Sequence, residues 1–555
     1  MKRIVTIITV LIAVCDALMA QPAAVKNAAK SVFTLTTFKA DGSLLASGHG
    51  VFIGADGEAI SNLTPFIGAA SAVVIDARGN KMNVTRMLGA NSIYDVAKFK
   101  VDGKTVAASV ASSAASAGTQ VWLVPYSVKT PAVKSATVRN VETFMDKYSY
   151  YIFTLDTPDN TVACPFVNAR GEVIGLLQPS TTNNDIHATD ARYAADLKVS
   201  ALSANEDIFR KISVPTALPD DKEQAVLALM IIGQNGDSLK HAAAVDDFLK
   251  SYPEQLDGYV AKAQIAVGAN KFDDAAMNME KAIKSVANKD EAHFNYSKII
   301  YDKELYNPAP YASWSFDKAL DEAEKAYSIN PLPVYRHQQA LVKFSKGEYQ
   351  QAYDMFMALA GTSLRNSELY YEAARCKQMM KAPNTEVLAL LDSAVNNTDT
   401  MRITEAAPYF LARAEVYVEE GNYRQAVFDY TRYELLKDRR QLGADFYYVR
   451  EQAEVKAKLF KQALIDINMA VMLAPKEPLY LAEKASLELR VNMVDDALET
   501  ARHCVELAPE YSDGYLLLGL AQVQKGNKAE GLENMKKAKE LGNEQAEKLI
   551  GKYSK

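Results

Sequence analysis

Nucleophilic chemistry needs a hydroxyl or thiol, a base to take its proton and a third group to orient that base. The stretch "NTVACP" at 160–165 offers Thr161 and Cys164 as candidate nucleophiles, one on each side of Val162. The six histidines (His49, His187, His241, His293, His337 and His503) are scattered, and none stands beside Thr161 or Cys164 in sequence. No Cys/His cluster has metal-ligand spacing. The four cysteines, Cys15, Cys164, Cys376 and Cys504, are too far apart to read as a disulfide framework, so buried single thiols are expected. A phosphate loop, a dinucleotide fingerprint and a paired-carboxylate motif are all missing, and no cofactor or metal is expected.

Two textures must position these residues. From Lys30 to about Ser200, short runs such as "SVFTLTTF", "VWLVPYS" and "YYIFTLD" alternate apolar and polar residues between Gly, Asn, Asp and Pro turns. Period-2 runs at that spacing predict an all-β sandwich or barrel. From about Asp221 the pattern changes to Ala-rich apolar stripes at helical spacing. The expected organisation is a signal peptide at 1–20, a β domain at 25–205, a linker at 206–220 carrying Pro215 and Pro219, an all-α array at 221–545 and a tail at 546–555.

The N-terminus, "MKRIVTIITVLIAVCDALMAQPAAV", has a basic start, an apolar run from Ile4 to Cys15 and small residues before Gln21. The run is too short to span a bilayer, so it predicts an export signal cleaved after Ala20. A lipoprotein signal would instead acylate Cys15, but Val14 is bulky for the position before the acylated cysteine. The formal charge of −6 becomes −7 once Lys2, Arg3 and Asp16 are removed with the leader. That balance gives no electrostatic footprint for nucleic acid, and no later segment reads as a membrane span.

The helical half repeats. Pro475 and Pro509, which close "FKQALIDINMAVMLAP" and "VDDALETARHCVELAP", stand 34 residues apart. Small or branched residues align at Ala275, Ala319, Ala352, Val387, Ala426, Ala463, Ala497 and Gly531, with a Gly-aromatic turn at "KGEY" and "EGNY". Two antiparallel helices approach closely only where small residues meet. The region resembles the tetratricopeptide (TPR) family over roughly 220–545, about nine units. The resemblance implies an interior face built from the first helix of each unit, suited to holding a peptide of another protein. Candidates to line it are Val260, Gln264, His337, Leu341, Leu411, Glu415, Tyr448, Gln452, Leu516 and Leu520.

The β half also resembles a named family. Residues 47–101, from "SGHGVFIGADGEAISNLTPF" to "YDVAKFKV", are similar to the first barrel of a trypsin-like serine protease of the bacterial HtrA type, and "CPFVNARGEVIGLL" is similar to the closing strands of its second barrel. The resemblance implies a double β-barrel and places the family's catalytic Asp on Asp95, its His on Thr64 and its Ser on Val162. The oxyanion-loop glycine before the Ser falls on Asn160, and the two after it fall on Ala163 and Cys164. Threonine is no base near neutral pH and valine has no nucleophile. His49 falls on a small residue of the family pattern, remote from the triad histidine, and His187 on what reads as an edge strand. The expectation is an exported pseudoprotease of the periplasm or cell envelope, not an enzyme, joined to a protein-binding scaffold. The alternative is an active peptidase using Cys164 or Thr161, with the repeats recruiting substrate. Oligomeric state is left open.

Overall fold

The computed structural model describes residues 22–129, 132–155, 161–179 and 185–554. The expected leader at 1–20, with Cys15, and Asn160 lie outside them. A short helix, α1 (Ala23–Ala28), leads into β1 (Val32–Phe38), β2 (Leu44–Phe52), β3 (Glu58–Ser61), β4 (Ser71–Ile75), β5 (Lys81–Asn91) and β6 (Val96–Val101). These strands close into an antiparallel barrel in the order β1-β2-β3-β6-β5-β4. A second closed barrel, β10-β11-β12-β9-β8-β7, comprises β7 (Gln120–Leu123), β8 (Lys134–Phe144), β9 (Tyr148–Thr154), β10 (Pro165–Val167), β11 (Val173–Gln178) and β12 (Asp185–Asp190).

The period-2 pattern has a direct packing consequence, because alternate residues of a strand point to one face. Phe33, Leu35, Phe52 and Phe99 fill the first barrel, while Tyr151, Phe153 and Phe166 fill the second. A third cluster joins the barrels, bringing Val51, Ile60 and Val96 against Trp122, Val173 and Leu176, with Val25 of α1. Each such side chain contributes about 1.5–3 kcal/mol on burial. Gly50 marks the tightest approach, since a Cβ there would collide with the Phe33 ring and sit 2.5 Å from the Ile60 carbonyl.

After β12 come α2 (Ala191–Asp196) and α3 (Asp207–Arg210). Residues 206–220 connect the two halves without forming a free tether. Phe209, Ile212 and Val214 are buried in the first barrel's core. The Met87 N–H donates to the Pro215 carbonyl at 2.7 Å, and the Ala217 N–H donates to the Met87 carbonyl at 2.8 Å. The prolines that suggested a linker give up N–H groups here, but their neighbours still bond along β5.

From Lys222 on, the regular elements of the described residues are helices. The chain divides into two compact units, one ending at Ala287 and one beginning at Asn288. The first unit therefore holds the barrels together with two helix pairs, α4 (Lys222–Gln234) with α5 (Ser238–Ser251) and α6 (Leu256–Gly268) with α7 (Phe272–Ser285). The second unit stacks α8 (Lys289–Tyr306) with α9 (Phe316–Ile329), α10 (Pro333–Ser345) with α11 (Tyr349–Ala360), and α12 (Ser367–Met379) with α13 (Asn384–Asn396). It continues with α14 (Ala407–Glu419) and α15 (Tyr423–Leu436), α16 (Ala444–Lys456) and α17 (Phe460–Leu473), α18 (Pro478–Arg490) and α19 (Val494–Leu507), and α20 (Ser512–Gln524) and α21 (Lys528–Glu540). Within 546–554 the chain forms α22 (Ala546–Tyr553), which packs Ala546, Leu549 and Ile550 against Leu516 and Met535.

The repeat pattern has two physical causes. Ala275, Ala319, Ala352, Ala426, Ala463 and Ala497 have no exposed surface, as expected where two helix backbones meet. The turn inside most pairs needs one left-handed residue, supplied by Asn270, Gly347, Lys381, Gly421, Lys458, Asn492 and Gly526. The pair α8/α9 differs, because the insertion at 307–315 replaces the tight turn and buries Trp314, whose indole N–H donates to the Tyr296 hydroxyl at 3.3 Å.

Candidate functional site

The fold brings Thr64 and Asp95 together. Thr64 opens a 3₁₀ turn just beyond β3, and Asp95 ends the β5–β6 turn with a left-handed backbone, φ 46°. One carboxylate oxygen, Asp95 Oδ1, accepts from the Thr64 hydroxyl at 2.8 Å, the Thr64 N–H at 2.7 Å and the Leu63 N–H at 3.1 Å. The hydroxyl therefore donates to the carboxylate and has no role as a base in this arrangement. Asp95 ties the end of β3 to the β5–β6 turn.

Val162 lies in the loop entering β10 and packs its half-buried side chain on the second barrel's core. The turn around it has a left-handed backbone without glycine, since Ala163 sits at φ 62°. The Ala163 N–H donates to the Leu177 carbonyl at 2.7 Å and the Cys164 N–H to the Thr161 carbonyl at 3.0 Å. Two amides of the expected oxyanion turn are thus committed to backbone partners. Cys164 has no exposed surface, and burial pushes its thiol up to about 12. A thiol in that state is neutral at physiological pH and a poor nucleophile. Thr161 is also buried.

His49 lies on β2 of the first barrel. From β2 its ring comes close to the Val162 backbone of the second barrel, with Tyr126 6.2 Å away, centroid to centroid. Burial holds it below the ordinary imidazole value, and the nearby Val162 backbone opposes that shift. Only the barrel-to-barrel contact shows this, because the two residues lie far apart in the chain. His187 is not on an edge strand: β12 pairs with β11 through Gln178 and with β9 through Ile152. Its half-buried ring stacks on Tyr150 at 5.4 Å. Beside Asp95, a cleft of about 280 Å³ is bounded by Ile93 and Tyr94 from the first barrel and by Phe144, Tyr150 and Gln178 from the second.

The residues projected to line the repeat interior divide by environment. Gln264 and Glu415 are exposed, and Val260 and Gln452 are half-buried. Leu341, Leu411, Tyr448 and Leu520 pack at the edges of apolar clusters, and Leu516 is buried under α22. His337 bonds to Glu372 across α10 and α12 at 2.8 Å. Burial acts to lower its basicity, but the carboxylate outweighs this and raises it.

Sequence reading missed a repeated ionic clamp. Arg413 of α14 holds Asp429 of α15 through two bonds of 2.7 and 2.8 Å and Asp392 of α13 through one of 2.7 Å. Thirty-seven residues on, Arg450 of α16 holds Asp466 of α17 at 2.5 and 2.8 Å and Glu434 of α15 at 2.7 Å. Each guanidinium thus binds two consecutive second helices. The recurring Arg and Asp, each pair 16 residues apart, were the available signal. Beside this clamp Glu454 is buried, and burial with Asp466 nearby raises its carboxyl to about 8.

Among the described residues no group of His, Cys, Asp and Glu could hold a metal ion, and no helix is long and apolar enough to cross a membrane. No family model matches the chain, and no curated protein matches it.

Proposed function

We propose that this is an exported protein of the cell envelope in which a trypsin-like, HtrA-type double barrel has lost catalysis and carries a TPR-type scaffold for protein–protein interaction. The observation that carries this reading is the fate of the triad positions. Asp95 Oδ1 is taken up by Thr64 and Leu63, a valine fills the nucleophile position, and the one nearby thiol is sealed in the core. Triad catalysis needs all three roles filled. The burial of Cys164 and Thr161 weighs against a peptidase built on either residue. The export signal in the sequence supports the envelope assignment, and the stacked helix pairs support the scaffold.

The test is affinity capture from the native envelope with residues 21–555 and, in parallel, with a chain ending at Ala287, the boundary of the first compact unit. A defined partner held by the long bait and lost from the short one is the expected result. Recovery by both baits of only a spread of cleaved or unfolded polypeptides would contradict the scaffold reading.

A further inference from the structure

The outer faces of α15 and α17 carry large apolar side chains that the fold does not use. Phe428 and Leu435 are 50% and 62% exposed, and they lie seven residues apart on one face of α15. Ile465 and Met472 are 64% and 63% exposed at the equivalent places on α17, thirty-seven residues on. That register is the one set by Arg413–Asp429 and Arg450–Asp466, and Arg450 binds both helices through Glu434 and Asp466. One guanidinium, Arg450, therefore ties the two helices together in this register. The repeat does not require apolar residues there. Corresponding positions are Ala389 and Asn396 in α13 and the exposed Glu499 and Glu506 in α19. In α7 the first position is also apolar, Met277 at 59% exposed, but the second is Lys284. So α15 and α17 alone pair two large apolar residues there, and such an exposed patch marks an interaction surface.

The charges on this face have one sign. Arg424 and Lys461 occupy matching exposed positions one turn before Phe428 and Ile465, and Arg432 lies over the Phe428 ring at 5.2 Å. Among the described residues none of the three cations forms an ion pair. An amphipathic helix binds by laying its apolar face on exposed apolar anchors spaced along such a surface. From Arg424 to Leu435 the strip runs about 16 Å at 1.5 Å per residue, three turns of a partner helix.

We infer that the outer face of α15 and α17 docks an amphipathic helix of another protein, with an apolar stripe and acidic flanks. This rests on the scaffold reading and adds to it the surface and the chemistry of the partner. The stripe covers Phe428, Leu435, Ile465 and Met472, and the acidic flanks meet Arg424, Arg432 and Lys461. Opposite charge at the rim sets specificity and association rate, while the apolar centre supplies most of the affinity.

The test uses residues 21–555 and two fluorescein-labelled helical peptides with the same leucine stripe, one flanked by glutamates and one by lysines, followed by anisotropy. The glutamate-flanked peptide is expected to bind at least about tenfold more tightly. Phe428→Ser with Ile465→Ser should weaken it by about tenfold or more. Arg424→Glu with Lys461→Glu should reverse the preference between peptides. These sites are exposed, and an unchanged melting curve checks that the fold survives. Equal binding of both peptides, binding of neither, or binding untouched by the serine pair overturns the inference. So does concentration-dependent dimerisation abolished by the serine pair, which would assign the face to a second copy. A partner captured in the envelope experiment and unaffected by the serine pair would overturn this inference and leave the scaffold reading standing.

Discussion

If Asp95 survives as a structural tie rather than as a catalytic group, its removal should loosen one local contact by a predictable amount. Asp95→Ala deletes an acceptor used by three donors, the Leu63 and Thr64 amides and the Thr64 hydroxyl. Net hydrogen bonds contribute about 1 kcal/mol each, less where water can replace the partner, and Thr64 is exposed. Those terms give about 2 kcal/mol. Forcing alanine to hold φ 46° adds about 1 kcal/mol. The total, about 3 kcal/mol, corresponds to roughly a hundredfold faster exchange of the protected amides. Asp95→Asn keeps a carbonyl acceptor, and asparagine tolerates the left-handed backbone, so it should cost less than about 1 kcal/mol. Hydrogen exchange with mass spectrometry on the peptide spanning 58–66 reads both variants. Full protection in Asp95→Ala, or equal loss in both variants, would refute the structural role.

Three further outcomes are expected. Cys164, Cys376 and Cys504 are all buried, and burial raises their thiols to about 12, about 12 and about 11, so Ellman's reagent should titrate none of them in folded residues 21–555 and all three after unfolding. Glu454 holds a proton in the folded state up to about 8, whereas an unfolded glutamate releases it near pH 4.3. Stability of the α16 region should therefore fall as pH rises through that window and level off above it. In Glu454→Gln the fall should shrink, as judged by exchange of 444–456 at pH 5 and pH 8 corrected for intrinsic rates; an unchanged pH dependence would count against a buried neutral acid. Arg450→Ala strands Asp466 and Glu434 without their cation, which should cost about 3–5 kcal/mol and sharply speed exchange across α16 and α17. A loss below 1 kcal/mol would show that the clamp is solvated.

Much of the fold was legible because it rests on local periodicity. Alternation in "SVFTLTTF" becomes the buried Phe33 and Leu35 of β1, and the aligned alanines become the contact points of helix pairs. "EGNY" reads as a turn because Gly421 must be left-handed. What stayed hidden depends on contacts between distant residues. Nothing local in Phe209, Ile212 and Val214 says that they fill the end of a barrel built from residues 32–101. Nor does His49 reveal that its ring meets Val162 more than a hundred residues later. Leu516 was projected to the repeat interior because its position faces inward in a continuous array. Here α22 covers it. The triad positions were placed by resemblance, and the contact between Thr64 and Asp95 follows from the barrel strands that carry them.

The proposed loss of peptide-bond hydrolysis can be measured directly. The most direct measurement is incubation of residues 21–555 with unfolded casein for a day, beside an active HtrA-type enzyme, with fragments followed by mass spectrometry. No fragments above those of a no-protein control are expected. Cleavage by the chain, abolished in Cys164→Ala or Thr161→Ala, would contradict the proposed loss.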